Sequence, residues 1–207
     1  MKNSEIISVN IAVEDDLSEA VLRKLLWETD RPFEVCGCLG KTGFGYLKSK
    51  IKNFNRAAQH FPFIVLTDLD HQACPLALMA EWLPDPHHPN LIFRVAVREV
   101  EAWLLADRKN FSQFLNISAD KIPLNVDEIL DPKQHLINLV RHCRRQSLKK
   151  AIIPLAGSTA TVGRDYNNTL IGFVNHGWQA QTAQQNSPSL RRAMDALQRY
   201  KPYQNQT

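Results

Sequence analysis

Phe61-Pro62-Phe63-Ile64-Val65-Leu66-Thr67-Asp68-Leu69-Asp70 (FPFIVLTDLD) decides the fold class. Its apolar part, Phe61–Thr67, reads as a buried strand that stops at Asp68-Leu69-Asp70. The same pattern recurs upstream at Glu5–Val13 (EIISVNIAV) and Phe33–Cys36, and downstream at Leu91–Val97 (LIFRVAV). Helical segments separate these runs. Val21, Leu22, Leu25 and Leu26 share one face of a helix that ends near Glu28, with Ser18 as its N-cap. Leu47, Ile51 and Phe54 do the same for Tyr46–Ala58, behind a glycine-rich turn from Gly37 to Gly45. Pro75–Trp82 and a segment from Glu99 to Ala106 read as further helices, and Pro84–Pro89 as a loop. Strands alternating with helices over residues 1–107 indicate an α/β layer fold with a mainly parallel sheet. The remainder reads as helices at 108–115, 133–150 and 188–200, without a strand and with a frayed tail from Pro202. The expected organisation is an α/β domain over 1–107 and a helical, basic part over 108–207 packed on it.

Three of the four expected strands end on acids: Glu14-Asp15-Asp16, Asp68-Leu69-Asp70, and Glu99-Val100-Glu101. In open α/β sheets, functional groups gather beyond the C-terminal ends of parallel strands. Neighbouring strands would therefore bring these carboxylates to one edge. Clustered carboxylates repel unless a cation neutralises them, and an oxygen-only donor set favours Mg²⁺ or Mn²⁺.

Charge is uneven along the chain. The formal net charge is +4, yet residues 133–201 carry eleven Lys or Arg against two acids, Asp165 and Asp195. An acidic site beside a basic surface suits a metal-dependent enzyme acting on a polyanion. The 207 residues are 44% hydrophobic and 22% charged, an ordinary globular composition that argues against disorder, collagen and disulfide scaffolds. No apolar run is long enough for a membrane span, and Met1–Glu5 lacks the features of a signal peptide, so the expected compartment is the cytoplasm. The four cysteines form no CxxC, and Cys36-Gly37-Cys38 is too tight for a zinc knuckle, so the thiols are read as buried or idle.

Taken together, Val13-Glu14-Asp15, Gly40-Lys41-Thr42-Gly43-Phe44-Gly45, Asp68-Leu69-Asp70 and Arg98-Glu99-Val100-Glu101 followed by Ala102–Asp107 resemble a Toprim domain. This is the domain of topoisomerases, bacterial primases and the OLD nucleases. The resemblance is strongest to small Toprim-like proteins that accompany ATPases in prokaryotic defence loci. It covers residues 8–107 well and the remainder loosely, where Ser187–Arg192 is similar to the family's closing helix. Asp15 departs from the pattern, because the family usually has Gly there. The resemblance implies a Toprim or Rossmann-like sheet flanked by helices and Mg²⁺-dependent phosphodiester chemistry. Asp68, Asp70, Glu99 and Glu101 would hold metal, and Glu14 would hold metal or act as general acid or base. It further implies nucleic acid as substrate and a partner ATPase; DNA is ranked ahead of RNA, with both left open by the sequence. The flanking phosphates are assigned to Lys41, Arg141, Arg144, Arg145, Lys149 and Arg164. Of these, Arg141, Arg145 and Lys149 share one face of the helix expected at 133–150. Tyr166 is a candidate for stacking on a base.

Gly40-Lys41-Thr42 is similar to the end of a phosphate-binding P-loop, but Val35 stands where the motif needs glycine. His87-His88 lacks further ligands for zinc, and His142-Cys143 point too far apart on a helix to act as a pair. Two other readings stand beside the nuclease. One is a Toprim-like metal-binding subunit that acts through protein contacts alone. The other is a different phosphoryl-transfer enzyme, such as a primase-like nucleotidyltransferase or a phosphatase.

Overall fold

The computed structural model describes residues 6–83 and 86–203. Glu5 of the first expected strand, the signal-peptide reading of Met1–Glu5, Pro84 and Asp85 of the expected loop and the last four residues of the expected frayed tail lie outside the described residues. Four strands, β1 (Ile7–Val13), β2 (Phe33–Gly40), β3 (Phe63–Asp68) and β4 (Leu91–Ala96), form one sheet in the order β2-β1-β3-β4. Every pairing is parallel. Between the strands run α1 (Asp16–Glu28), α2 (Phe44–Ala57) and α3 (Pro75–Trp82). The chain steps outward from β1 to β2, then reverses past β1 to β3 and β4. Right-handed crossovers then place α1 on one face and α2 with α3 on the other. Packing agrees. Val9, Ile11, Val13, Ile64 and Leu66 lie in the core with α1. Ala12, Phe63, Val65, Phe93 and Val95 lie in a second core with Leu47, Ile51 and Leu78 of α2 and α3. The period-2 alternation of the strands supplies both faces. The α/β fold with a parallel sheet flanked by helices is thus as expected.

Two local readings change. Asp15, not Ser18, caps α1: its Oδ1 accepts a hydrogen bond from the Ser18 amide at 2.8 Å. Asp15 has extended backbone, which any residue adopts, so this loop has no need of the glycine usual in the family. The strand expected at Phe33–Cys36 runs on to Gly40, because Gly37–Gly40 pairs with Asn10–Val13. Gly37 leaves room for the Asn10 side chain, and Gly40 serves close backbone approach rather than a turn. A Cβ on Gly40 (φ 98°) would sit 2.1 Å from the Val13 carbonyl oxygen.

After β4 come α4 (Val100–Ala106), α5 (Arg108–Leu115), two single 3₁₀ turns, α6 (Pro132–His142), α7 (Gln146–Ile152), α8 (Tyr166–His176), α9 (Ala180–Ala183) and α10 (Pro188–Arg199). Every residue of α4 is buried, so this helix is the hub of the molecule. Trp103 of α4 donates from Nε1 to Ser189 Oγ at 2.7 Å, and Trp178 Nε1 donates to the Trp103 carbonyl at 3.0 Å. Buried Asp107, just beyond it, caps α5 and accepts from the Gln179 amide at 2.9 Å. One apolar core contains β1, α1, α4 and residues from α5 to α10. Among the described residues no helix is long and apolar enough to cross a membrane. All four cysteines are free; Cys36 and Cys74 are exposed and Cys143 is buried.

The expected helix 133–150 is in fact two. Cys143 ends α6 in extended backbone and Arg145 precedes α7, so Arg141, Arg145 and Lys149 do not lie on one helical face. The polar stretch 157–168 (GSTATVGRDYNN) enters α8 at Tyr166, a helix absent from those expected of the sequence.

Candidate active site

The strand order reverses between β1 and β3, and the candidate carboxylates lie at that point. Such a switch point opens a crevice beyond the strand ends, because the two connections leave toward opposite faces. Glu14, just past β1, reaches across it. Its Oε1 accepts from the Thr67 hydroxyl and from the Asp68 amide, the latter at 2.9 Å. The loop behind Glu14 is tied down, since the Val13 and Glu14 carbonyls accept from the Lys41 and Gly43 amides at 2.9 and 3.0 Å. Asp68 closes β3, and its Oδ1 accepts from the Val100 amide at 3.0 Å, linking the strand end to the start of α4. Asp70 follows in left-handed backbone (φ 48°), fixed by its own amide donating to the Arg98 carbonyl at 2.9 Å.

Glu99 and Glu101 approach from the start of α4. Glu99 precedes the helix and accepts from the Lys133 amide at 2.9 Å and from its ammonium at 3.2 Å. Glu101 is only 2% exposed. Its Oε1 accepts from the Tyr166 hydroxyl at 3.0 Å and lies 3.6 Å from Lys133 Nζ. Its Oε2 is sealed from solvent and has no hydrogen-bond partner. Asp107, the other buried acid among the described residues, contrasts with it: both of its oxygens accept hydrogen bonds.

Electrostatics follow from this geometry. Burial, then the charges of Glu101, Glu14 and Glu99, hold the Asp68 carboxyl well above the usual carboxylate range. Burial pushes Glu101 up to about 7, against the pull of Lys133. Burial also raises Glu14, although Thr67 and the Asp68 amide work against it and Asp70 adds to it. Among the described residues, Lys133 is the one ammonium paired with Glu99 and Glu101. Burial would lower its pKa, but Glu101 and Glu99 outweigh burial and hold it above the usual lysine value. Acids from the ends of β3 and β4 therefore crowd around Lys133, and Glu14 from the end of β1 adds its charge to Asp68.

The donor set fits a divalent cation in its chemistry. All the side chains are carboxylates, their charge exceeds that of Lys133, and one buried oxygen lacks a partner. Among the described residues, no three His, Cys, Asp or Glu side chains are already gathered around one point. Lys133 instead bridges Glu99 and Glu101.

The basic candidates are dispersed. Lys41 is engaged with Asp16 at 2.9 Å and with Glu19, and these two partners raise its pKa. Arg141, Arg144, Arg145 and Arg164 are exposed, and Lys149 is partly so. Tyr166 is 2% exposed and spends its hydroxyl on Glu101, so it offers no face for a base. Three residues that matter here, Thr67, Lys133 and Tyr166, had no place in the metal set read from sequence. Lys133 did leave a signal. It occupies the first turn of α6, where the helix dipole disfavours a cation and where Glu99 supplies the compensation.

Compared with protein-family models, curated proteins and solved structures, the chain matches none.

Proposed function

We propose that this protein is a metal-dependent phosphodiesterase, a nuclease of the Toprim kind that uses Mg²⁺ or Mn²⁺. The observation that carries the reading is the unpartnered, buried Glu101 oxygen beside Asp68 and Glu14 at the switch point of the sheet. A buried carboxylate of this kind calls for a cation or a proton. Asp68, Glu101, Glu14 and Glu99 would hold the metal, with Asp70 at the rim. A bound divalent ion polarises a phosphodiester and lowers the pKa of water. Glu14, whose carboxylate accepts from Thr67 and the Asp68 amide, would take or return a proton. The exposed arginines 141, 144, 145 and 164, with Lys149, would contact flanking phosphates. DNA rather than RNA as substrate, and a partner ATPase in a prokaryotic defence system, follow from the resemblance alone.

Lys133 favours a second reading. Its ammonium already neutralises part of the cluster, as expected of a non-catalytic Toprim-like subunit that works through protein contacts. Calorimetric titration with Mn²⁺ and Mg²⁺ separates the two. On the nuclease reading, the wild type binds metal, Asp68→Ala/Asp70→Ala does not, and DNA cleavage disappears with binding. Absence of metal binding by the wild type would remove the nuclease reading.

A further inference from the structure

A second site lies along β4, the outer strand of the sheet, in a cavity of about 400 Å³ between α3, β4 and α10. Small-molecule pockets span about 300–1,000 Å³, so its size suits one small ligand. Leu76, Met79, Phe93 and Ala193 supply apolar walls, and Leu76 is left 77% exposed at the surface. Two of the polar groups at this lining are committed elsewhere. Ser189 Oγ accepts from Trp103 Nε1 and the Val97 amide, and Cys74 Sγ caps α3. The guanidiniums of Arg94 and Arg192 remain. Among the described residues neither makes an ion pair. Arg94 Nε is sealed from solvent without a hydrogen-bond partner.

We infer that this cavity binds a small organic carboxylate with an apolar body. A guanidinium stays charged, and two of them at a mostly apolar lining, without an acidic partner among the described residues, call for an anionic acceptor. A carboxylate presents two oxygens that match the planar fork of an arginine. The apolar walls then require that the rest of the ligand be hydrocarbon or aromatic. A bare phosphate would leave those walls unfilled, and a polynucleotide backbone brings no apolar body to cover Leu76 and Met79. The site stands apart from the carboxylate cluster in its residues and does not depend on the nuclease reading.

The test uses the full chain and three probes: naphthylacetate, its neutral isostere naphthylacetamide, and inorganic phosphate. Calorimetry should give saturable binding of one naphthylacetate per chain, with the amide weaker by about tenfold or more, the usual value of a charge-assisted hydrogen bond. Arg94→Met and Arg192→Met keep most of the apolar stem and remove the charge. Each should weaken naphthylacetate by about tenfold and leave the amide unchanged. Arg192 is exposed, so its variant tests the idea even where Arg94→Met fails to fold. Equal binding of acid and amide would reduce the cavity to an apolar slot and overturn the inference. So would phosphate binding as tightly as naphthylacetate, insensitivity to Arg192→Met, or no binding of naphthylacetate at millimolar concentration.

Discussion

Glu101 and Lys133 constrain each other. The carboxylate is buried, and Lys133 is the cation nearest to it. Lys133→Met would leave the acidic cluster without its ammonium. Removing one partner of a buried pair costs about 3–5 kcal/mol, and the partial exposure of Lys133 puts the expected loss at about 2–3 kcal/mol at pH 8. Mg²⁺ should recover most of that loss if the cluster takes metal, and none if it is purely structural; urea unfolding with and without Mg²⁺ reads the difference. Proton linkage gives a second check. The Glu101 carboxyl titrates near 7 in the folded chain against 4.5 when free. Between those values the native state holds a proton that the unfolded state has lost, so metal-free stability falls as pH rises. Asp68, also raised, adds in the same direction. Thermal melts in chelator should show a falling Tm from pH 5 to 7, and Glu101→Gln should flatten that slope. At this scale the acids were readable because each follows an apolar strand. Thr67 and Tyr166 were not, because their role exists only once distant segments meet at the cluster, and Lys133 was marked only by its place in the first turn of α6.

At the scale of elements, the first half of the chain was readable because strand and helix periods differ and the apolar residues follow them. Glycine misled where it serves packing. Gly37–Gly40 belongs to β2, and Gly40 fits there because its φ and the nearby Val13 carbonyl both forbid a Cβ. Gly40→Ala should therefore cost about 3 kcal/mol or more, visible as a lower urea midpoint, and it should loosen Glu14, whose backbone is tied to the same turn. In the second half, α8 hid behind Asn167, Asn168, Thr169 and Gly172, all weak helix formers. Its helicity comes from burial of Leu170, Phe173 and Val174, a tertiary term with no local signal. The break between α6 and α7 has a like origin, since Cys143 at the junction is buried in the main core. Ser189 shows how tightly these elements interlock. Ser189→Ala leaves the buried Trp103 indole N–H without its acceptor and should cost about 1–3 kcal/mol, with the fluorescence of the tryptophans reporting the change.

Over the whole molecule, composition and folding unit part company. Strand–helix alternation gives way to helices near residue 107 and the basic excess begins at Lys133, yet the apolar core runs through both boundaries. The reason is α4, buried on all sides, with the sheet on one flank and α5, α6 and α9 on the others. A helix that is apolar all round cannot sit at a surface. Cutting the chain after Asp107 would expose Trp103, Leu104 and Leu105 together. Each such side chain contributes about 1.5–3 kcal/mol by burial, and a domain's whole stability is about 5–15 kcal/mol. The same cut removes Lys133 and Tyr166, leaving Glu99 and Glu101 without their partners. The 1–107 fragment should therefore show no cooperative melt by circular dichroism and no metal binding, even though it carries all five candidate carboxylates. A cooperative melt of that fragment would mean that the helical part is an appendage. Its absence would mean that the basic half is a structural partner of the acidic cluster, supplying in Lys133 the cation that lets the ends of β3 and β4 sit together.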